Sequence, residues 1–304
     1  FSRQWRDIQK YAAKQGIAIL GDVPMFVAHN SADCWAHQDL FDLDEAGDPK
    51  SVAGVPPDYF SADGQLWGNP LYNYQAMAKD NYQWWADRFR RMMDLVDEVR
   101  VDHFRGFAAY WAVPADAKTA RSGAWKEGPG LDLFRAVYEK VGNLRLVAED
   151  LGVITDDVCT LKDALQLPGM KVIQFHLKER ADGRLDFDTE PDCLAYTGTH
   201  DNNTLRGWYE DDLTPTQQLQ VRQMLGFSDE AAPQEIVGAL IDYTYRRRAE
   251  TVVVPVQDLL ALPATDRMNV PGVAEGNWHW QLKQGQLTED TAQWLAQLVK
   301  DSGR

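Results

Sequence analysis

The fold of this chain is decided by the stretch Ile17-Ala18-Ile19-Leu20-Gly21-Asp22-Val23-Pro24-Met25-Phe26, residues 17–26. Its first half is a short apolar run, which is typical of a strand buried in a parallel sheet. An open doubly wound sheet usually carries a glycine-rich phosphate-binding turn after its first strand. Residues 21–26 contain a single glycine and a proline, and cannot cradle a phosphate. The stretch therefore favours the other parallel α/β fold, a closed (β/α)8 barrel.

Five later runs repeat this pattern of an apolar strand that ends near a polar or acidic residue. They are Val99–Asp102, Leu144–Glu149, Lys171–Phe175, Leu194–Gly198 (followed by His200 and Asp201) and Thr251–Asp258. Helices are predicted between the strands, over 216–226, 233–249 and 288–299, and from the apolar stripe Trp85, Phe89, Met92 and Val96. Strands that alternate with helices indicate a parallel α/β architecture. Because barrel enzymes place catalytic residues at the C-terminal ends of their strands, the acidic strand ends also favour the barrel.

These six strands are two fewer than a (β/α)8 barrel contains. The chain opens with Phe rather than Met, and residues 1–12 predict a helix with an apolar side. We therefore expect residues 1–304 to be the C-terminal part of one catalytic barrel domain, with its first two β/α units upstream. A lid-like insertion is expected at about residues 50–75.

The composition disfavours several classes of protein. Acidic residues number 46 against 31 basic ones, and the net charge of −15 opposes binding to nucleic acid or to anionic membranes. No run of 18 apolar residues occurs, and no basic leader precedes an apolar stretch, so we expect a cytoplasmic protein without a membrane partner. Cys34, Cys159 and Cys193 form no CxxC pair, and no HExxH or EF-hand spacing is present. Neither a metal nor another cofactor is expected.

Three acidic residues, Asp102, Glu149 and Asp201, follow three different predicted strands. Any one of them could equally cap a helix, but a barrel would bring all three to one rim. Arg100 lies two residues before Asp102, on the same strand face, where it would hold Asp102 ionised as a nucleophile requires. Glu149 follows the apolar residues 146–148, and these neighbours together with another carboxylate would raise its pKa, as a general acid requires.

The segment Val55–Pro70 predicts a loop, because it is rich in proline and glycine, yet it contains Tyr59, Phe60 and Trp67. One interpretation is an Ω-loop that is packed by its own aromatic rings. The other is a lid whose rings stack on sugar faces and keep water from the reacting carbon. We favour the lid.

Six blocks together resemble the amylomaltase family, the 4-α-glucanotransferases or disproportionating enzymes related to α-amylases. They are residues 21–27 (GDVPMFV), 54–71, 99–106 (VRVDHFRG), 148–152 (AEDLG), 199–202 (THDN) and 267–272 (RMNVPG). Their order and spacing are specific, and the resemblance covers essentially the whole chain. It implies a TIM barrel of the α-amylase type and the transfer of α-1,4-glucan segments. Family members have a longer chain, whose earlier part completes the barrel.

The resemblance also implies a role for each candidate residue. Asp102 would be the nucleophile that forms a covalent glycosyl intermediate, Glu149 the acid/base, and Asp201 the group that stabilises the distorted sugar. Substrate contacts would come from Asp22, Tyr59, Phe60, Trp67, Arg100, His200 and Asn269. The partners implied are maltooligosaccharides or other α-1,4-glucans, such as those of glycogen and starch.

Two alternative functions stay open at this point. An α-glucan hydrolase of the α-amylase type would use the same three carboxylates but let water accept the sugar. A non-catalytic glucan-binding module belongs to a different class. The presence of Asp102, Glu149 and Asp201 together argues against the binding module.

Overall fold

The computed structural model describes residues 1–57, 61–228, 231–273 and 275–304. The chain divides into two compact units, Phe1–Gly169 and Met170–Arg304. Each unit combines helices with parallel strand pairs, which confirms the predicted α/β class. No helix in the described ranges has the length and apolar character needed to cross a membrane.

The first unit begins with a helix and then alternates strands with helices. Its helices are α1 (Ser2–Lys14), α2 (Ala32–Ala36), α3 (Tyr74–Lys79), α4 (Gln83–Met93), α5 (Gly130–Val141) and α6 (Asp156–Ala164). Its strands are β1 (Leu20–Val23), β2 (Ser51–Val55), β3 (Gln65–Pro70), β4 (Glu98–Val101), β5 (Ala109–Pro114), β6 (Ala124–Glu127) and β7 (Leu146–Ala148). Short 3-10 helices cover Gln38–Leu40, Phe104–Phe107 and Ala120–Ser122.

A parallel sheet in the order β1-β4-β7 carries the first candidate carboxylates. Its central strand β4 is buried at Val99, Arg100 and Val101, which point to alternate faces, as expected for a strand covered on both faces. Trp85 and Phe89 of α4 belong to the same apolar core, so the predicted stripe packs inward. Val96 is also buried, but it lies beyond the C-terminal end of α4.

The prediction of a loop over residues 55–70 is wrong at its C-terminal end, where 65–70 form β3. This strand belongs to an antiparallel sheet in the order β3-β2-β5-β6. A Cβ added to Gly54 of β2 would lie 2.5 Å from the carbonyl oxygen of Gln65, so glycine permits this pairing. Gly64, with φ +69°, supplies a left-handed position just before β3. Gly64, which helped to indicate a loop, therefore serves a turn, while Gly54 just before the segment permits a close strand contact.

The second unit continues the alternation from the unit boundary. Its helices are α7 (Ile173–His176), α8 (Leu205–Gly207), α9 (Pro215–Leu225), α10 (Pro233–Tyr245), α11 (Val256–Leu259) and α12 (Glu289–Asp301). Its strands are β8 (Gly169–Val172), β9 (Lys178–Glu179), β10 (Leu185–Asp186), β11 (Cys193–Tyr196) and β12 (Thr251–Val253). A π-helix covers Trp208–Asp212 and a 3-10 helix Ala264–Asp266.

The larger sheet of this unit has the order β12-β11-β8, with β11 and β12 parallel. Two predicted strands end earlier than expected. Residues 173–176 are helical in α7, and residues 256–259 form α11 directly after Pro255, because proline favours a helix start and cannot donate to a strand ladder. In α12 Leu298 is buried and Trp294 is 38% exposed.

Candidate active site

Arg100 of β4 links two of the predicted carboxylates of the first unit. Its side chain is 7% exposed. Nη1 donates to Asp22 Oδ2 at 2.7 Å, and Nη2 donates to Asp102 Oδ1 at 2.9 Å. The local reason is strand geometry, since Asp22 is directly opposite Arg100 in the β1–β4 ladder and Asp102 is two residues further on. A buried guanidinium that bonds two carboxylates orients both and complements their charge.

Asp102 and Glu149 occupy equivalent positions at the ends of two neighbouring strands. Val101 pairs with Ala148 in the parallel β4–β7 ladder, and each acidic residue comes next along its strand. The ladder continues there, because Glu149 N donates to the carbonyl oxygen of Val101 at 3.1 Å. Neighbouring strands lie about 4.8 Å apart. This spacing suits a retaining glycosidase pair, whose carboxyl groups are about 5–5.5 Å apart.

Glu149 is partly buried, and a backbone N–H is bonded to each of its carboxyl oxygens. Oε2 accepts from His103 N at 2.9 Å, and Oε1 accepts from Leu151 N at 2.8 Å. Burial raises the pKa of Glu149 to about 7, with Arg100 opposing the rise and the charge of Asp102 adding to it. A substantial fraction of Glu149 is therefore protonated at neutral pH, which is the state that a general acid needs.

Trp67 of β3 lies against the residue that follows Asp102. Its ring meets the His103 imidazole edge-on, with 4.7 Å between centroids, and the indole is 36% exposed. Of the three aromatic residues predicted for the lid, Trp67 is thus close to the Asp102 segment. Tyr59 and Phe60 lie outside the described residues.

The second unit brings together the other three predicted residues, His200, Asp201 and Asn269. Asn269 Nδ2 donates to Asp201 Oδ1 at 2.6 Å, and His200 Nε2 lies 3.3 Å from Asp201 Oδ2. Arg267 Nη2 donates to the backbone oxygen of Asp201 at 3.1 Å. The Asp201 carboxylate remains 39% exposed, so this cluster holds an accessible acid in a fixed orientation.

Asp258 supports the loop that carries Asp201 and was missed as a supporting residue, although it ends the last predicted strand. It is 1% exposed, and it accepts hydrogen bonds from Thr197 Oγ1 at 2.6 Å and Leu205 N at 2.7 Å. These two partners lie on either side of Asp201 in the sequence. Burial raises the pKa of Asp258 to about 6, against the two hydrogen bonds. The sequence shows the acidic strand end but gives no signal of these distant partners.

Asp102 and Glu149 lie at the ends of neighbouring strands of one sheet, as the sequence predicts. The meeting of Asp201 with them stays a prediction, since it belongs to the other unit. Over the described part of the chain, no group of three or more His, Cys, Asp and Glu side chains is arranged to hold a metal ion.

The amino-acid sequence of this chain is similar to those of known proteins. A family profile described as 4-alpha-glucanotransferase matches residues 1–288. The chain is 46% identical over 283 residues to the chloroplastic/amyloplastic 4-alpha-glucanotransferase of Arabidopsis thaliana, covering 93% of this chain and 48% of that protein. It is 43% identical over 298 residues to the 4-alpha-glucanotransferase of Thermus thermophilus, covering 95% of this chain and 59% of that protein.

A solved structure shows the same likeness in three dimensions. The amylomaltase from Streptococcus agalactiae in complex with acarbose matches with a TM-score of 0.92 and 35% identity, covering 100% of this chain and 61% of that chain. The amylomaltase from Corynebacterium glutamicum matches with a TM-score of 0.78 at 19% identity, which supports the fold alone. The present chain spans about half the length of the plant relative that it matches.

Proposed function

Because this chain belongs to the 4-alpha-glucanotransferase family, we propose that it carries the catalytic residues of a retaining enzyme that moves α-1,4-glucan segments between maltooligosaccharides. The observation that supports this most is the pair Asp102 and Glu149 at neighbouring parallel strand ends. We further propose that its strands and helices form part of a (β/α)8 barrel of the α-amylase type. The parallel sheets and the likeness to an amylomaltase structure support that fold.

In the first step Glu149 gives its proton to the glycosidic oxygen of the donor glucan. Asp102, oriented by Arg100, attacks the anomeric carbon at the same time. The bond from this carbon to the glycosidic oxygen breaks, an ester to Asp102 forms, and the shortened glucan leaves with the proton. Retaining chemistry follows from this double displacement.

The second step depends on the loss of the negative charge of Asp102 in the first step. Once Asp102 is an ester, it no longer carries the negative charge that raises the pKa of Glu149. The pKa of Glu149 therefore falls, and its carboxylate can take the proton from the 4-hydroxyl of an acceptor glucan. The acceptor oxygen attacks the anomeric carbon, the ester bond to Asp102 breaks, and both carboxyl groups return to their starting states.

We propose Asp201 as the third carboxylate of this mechanism, stabilising the distorted sugar. Its support is the cluster with His200 and Asn269, which leaves the carboxylate oriented and accessible. Asp201→Asn should reduce turnover strongly while the protein keeps its melting temperature. Unchanged turnover in this variant would remove Asp201 from the proposal.

The product pattern from maltotriose tests the proposed transfer. A transferase forms glucose together with oligosaccharides longer than maltotriose, whereas a hydrolase forms only shorter ones. Asp102→Asn should abolish both products but still bind glucan. A non-catalytic glucan-binding module would instead behave alike with Asp102 or Asn at this position.

The preference for transfer requires that water be kept from the Asp102 ester while the acceptor enters. We propose that the aromatic segment 55–70 does this, with Trp67 the member located next to His103. Trp67→Ala, alone or with Tyr59→Ala, should raise the ratio of hydrolysis to transfer. Trp125, which is 43% exposed on β6, offers a control position for losing an indole. An unchanged ratio in the Trp67 variants would contradict the proposed role.

A further inference from the structure

His103, the residue after Asp102, has an unusual backbone conformation. Its φ is 51° and its ψ is 46°, in the left-handed region that residues other than glycine seldom adopt. In this conformation its N–H donates to Glu149 Oε2 at 2.9 Å. Unfavourable backbone conformations persist where the surroundings hold them, and they concentrate at functional sites.

The side chains packed around the imidazole hold the backbone of His103 in this conformation. The ring contacts Trp67 edge-on at 4.7 Å between centroids and lies 6.2 Å from the Phe26 ring. On another side is Gly106, where an added Cβ would lie 3.1 Å from His103 Cδ2 and 2.2 Å from Met25 Sδ. A larger residue at 106 would therefore crowd the imidazole. The ring is fixed from several directions.

The His103 ring does not act on Glu149 through charge. Burial, followed by the nearby Arg105, lowers the pKa of His103 to about 3, so the imidazole is neutral near pH 7. Its Nε2 is buried and makes no hydrogen bond to any part of the chain that the structure describes. The charged groups with the largest effects on the pKa of Glu149 are Arg100 and Asp102. The hydrogen bond that joins residue 103 to Glu149 is donated by the backbone N–H of His103.

We propose that His103 is a positioning residue for the acid/base, because its packed ring fixes the left-handed backbone that aims an N–H at Glu149. This inference rests on the function proposed above, in which Glu149 is that acid/base. It gives His103, the residue after the nucleophile, a role that depends on its backbone N–H and on the packing of its ring, and not on acid–base chemistry of the imidazole. It also connects Trp67, through ring contact with His103, to the group that transfers the proton.

Variants that differ in their tolerance of left-handed backbone test the proposal. Asn tolerates this conformation, whereas the β-branched Val opposes it. In His103→Val the N–H should leave Glu149, and the pKa of Glu149 should rise by about 1–2, since a hydrogen bond to the charged form is lost. In His103→Asn, which lacks the ring but tolerates the conformation, the pKa of Glu149 should rise clearly less than in His103→Val. Carbon-13 NMR of protein labelled at the Glu carboxyl groups measures this pKa, with the signal assigned by its loss in Glu149→Gln.

Asn81 provides a matched control for backbone strain. It is an exposed residue of the first unit with φ 59°, so Asn81→Val places the same side chain in the same kind of conformation. This variant should lower the melting temperature without moving the pKa of Glu149. If His103→Val does not fold, His103→Ala replaces it, with the same expected direction.

The proposal is overturned if the folded Val or Ala variant leaves the pKa of Glu149 unchanged, or if Asn moves it as far as Val does. The titration requires no glucan and no turnover. Its failure is therefore distinguishable from failure of the proposed transferase function, which the maltotriose products test separately.

Discussion

Replacing Asp102 by Asn removes the negative charge opposite Glu149 and should lower the pKa of Glu149. Burial is the main reason that this pKa is raised to about 7, but the charge of Asp102 adds to the rise. The substitution nearly preserves shape, and it leaves Arg100, whose positive charge lowers the same pKa, in place. The lost negative charge of Asp102 and the retained positive charge of Arg100 both favour a lower pKa of Glu149.

The size of the change follows from the strand geometry. With the strand spacing of about 4.8 Å taken as the separation of the two charges, they repel by about 0.9 kcal/mol at the dielectric constant of water and by about 3.5 kcal/mol at an effective value of about 20. At 1.36 kcal/mol per pKa unit these limits correspond to a decrease of about 0.6 to 2.5. The Asp102 side chain is 35% exposed, so solvent screening favours the lower part of this range. We expect the pKa of Glu149 to fall by about one.

Carbon-13 titration of the Glu149 carboxyl in Asp102→Asn measures this decrease without requiring an active protein. Asp22→Asn is the matched control, because Asp22 bonds the same guanidinium but lies on β1, one strand further from Glu149 than Asp102 does. Its effect should be the smaller of the two. A pKa of Glu149 that is unchanged or higher in Asp102→Asn would refute the coupling on which the second catalytic step depends.

Three further predictions concern pH, the central cation and the second unit. Transfer from maltotriose should fall about tenfold per pH unit above about pH 7, because Glu149 must hold its proton in the first step; a rate that still rises at pH 9 contradicts this. Arg100→Lys should lower kcat about 10–100-fold in steady-state assays, since one ammonium replaces a fork that bonds two carboxylates, while Arg145→Lys, at an exposed position, should leave it unchanged. The pKa of Asp258 is raised from 3.8 to about 6, so its contribution to stability is full below about pH 4 and is lost as pH rises through 6. Urea unfolding should show the wild type losing up to about 3 kcal/mol relative to Asp258→Asn between pH 4 and pH 7, and parallel pH profiles would contradict that pKa.

The sequence was sufficient to predict the strands that carry the first two acids. The two apolar runs are Val99–Asp102 and Leu144–Glu149. The observed strands β4 and β7 end one residue before the predicted C-terminal ends of these runs. The pairing of Asp102 with Glu149 follows, because parallel neighbours align their C-terminal ends. Local pattern and tertiary structure agree here, since burial on both faces imposes the same apolar sequence.

Features that depend on distant contacts could not be predicted in this way. The pairing of residues 65–70 in β3 depends on β2, and the buried partners of Asp258 lie more than 50 residues away. The left-handed conformation of His103 is imposed by rings from other segments, and histidine itself carries no signal for it. The contact between Asn269 and Asp201 spans 68 residues, and Asn269 was identified only through the family resemblance.

The central claim, that Asp102 forms a glycosyl ester, is tested most directly by mass spectrometry of Glu149→Gln protein treated with α-maltosyl fluoride. Fluoride leaves without a proton from residue 149, whereas release of the ester requires the missing base, so the intermediate should accumulate. We predict a mass increase of one maltosyl group on the peptide that contains Asp102, and none in the Asp102→Asn/Glu149→Gln double variant. An unmodified Asp102 peptide, or a maltosyl group attached to another residue, would contradict the account.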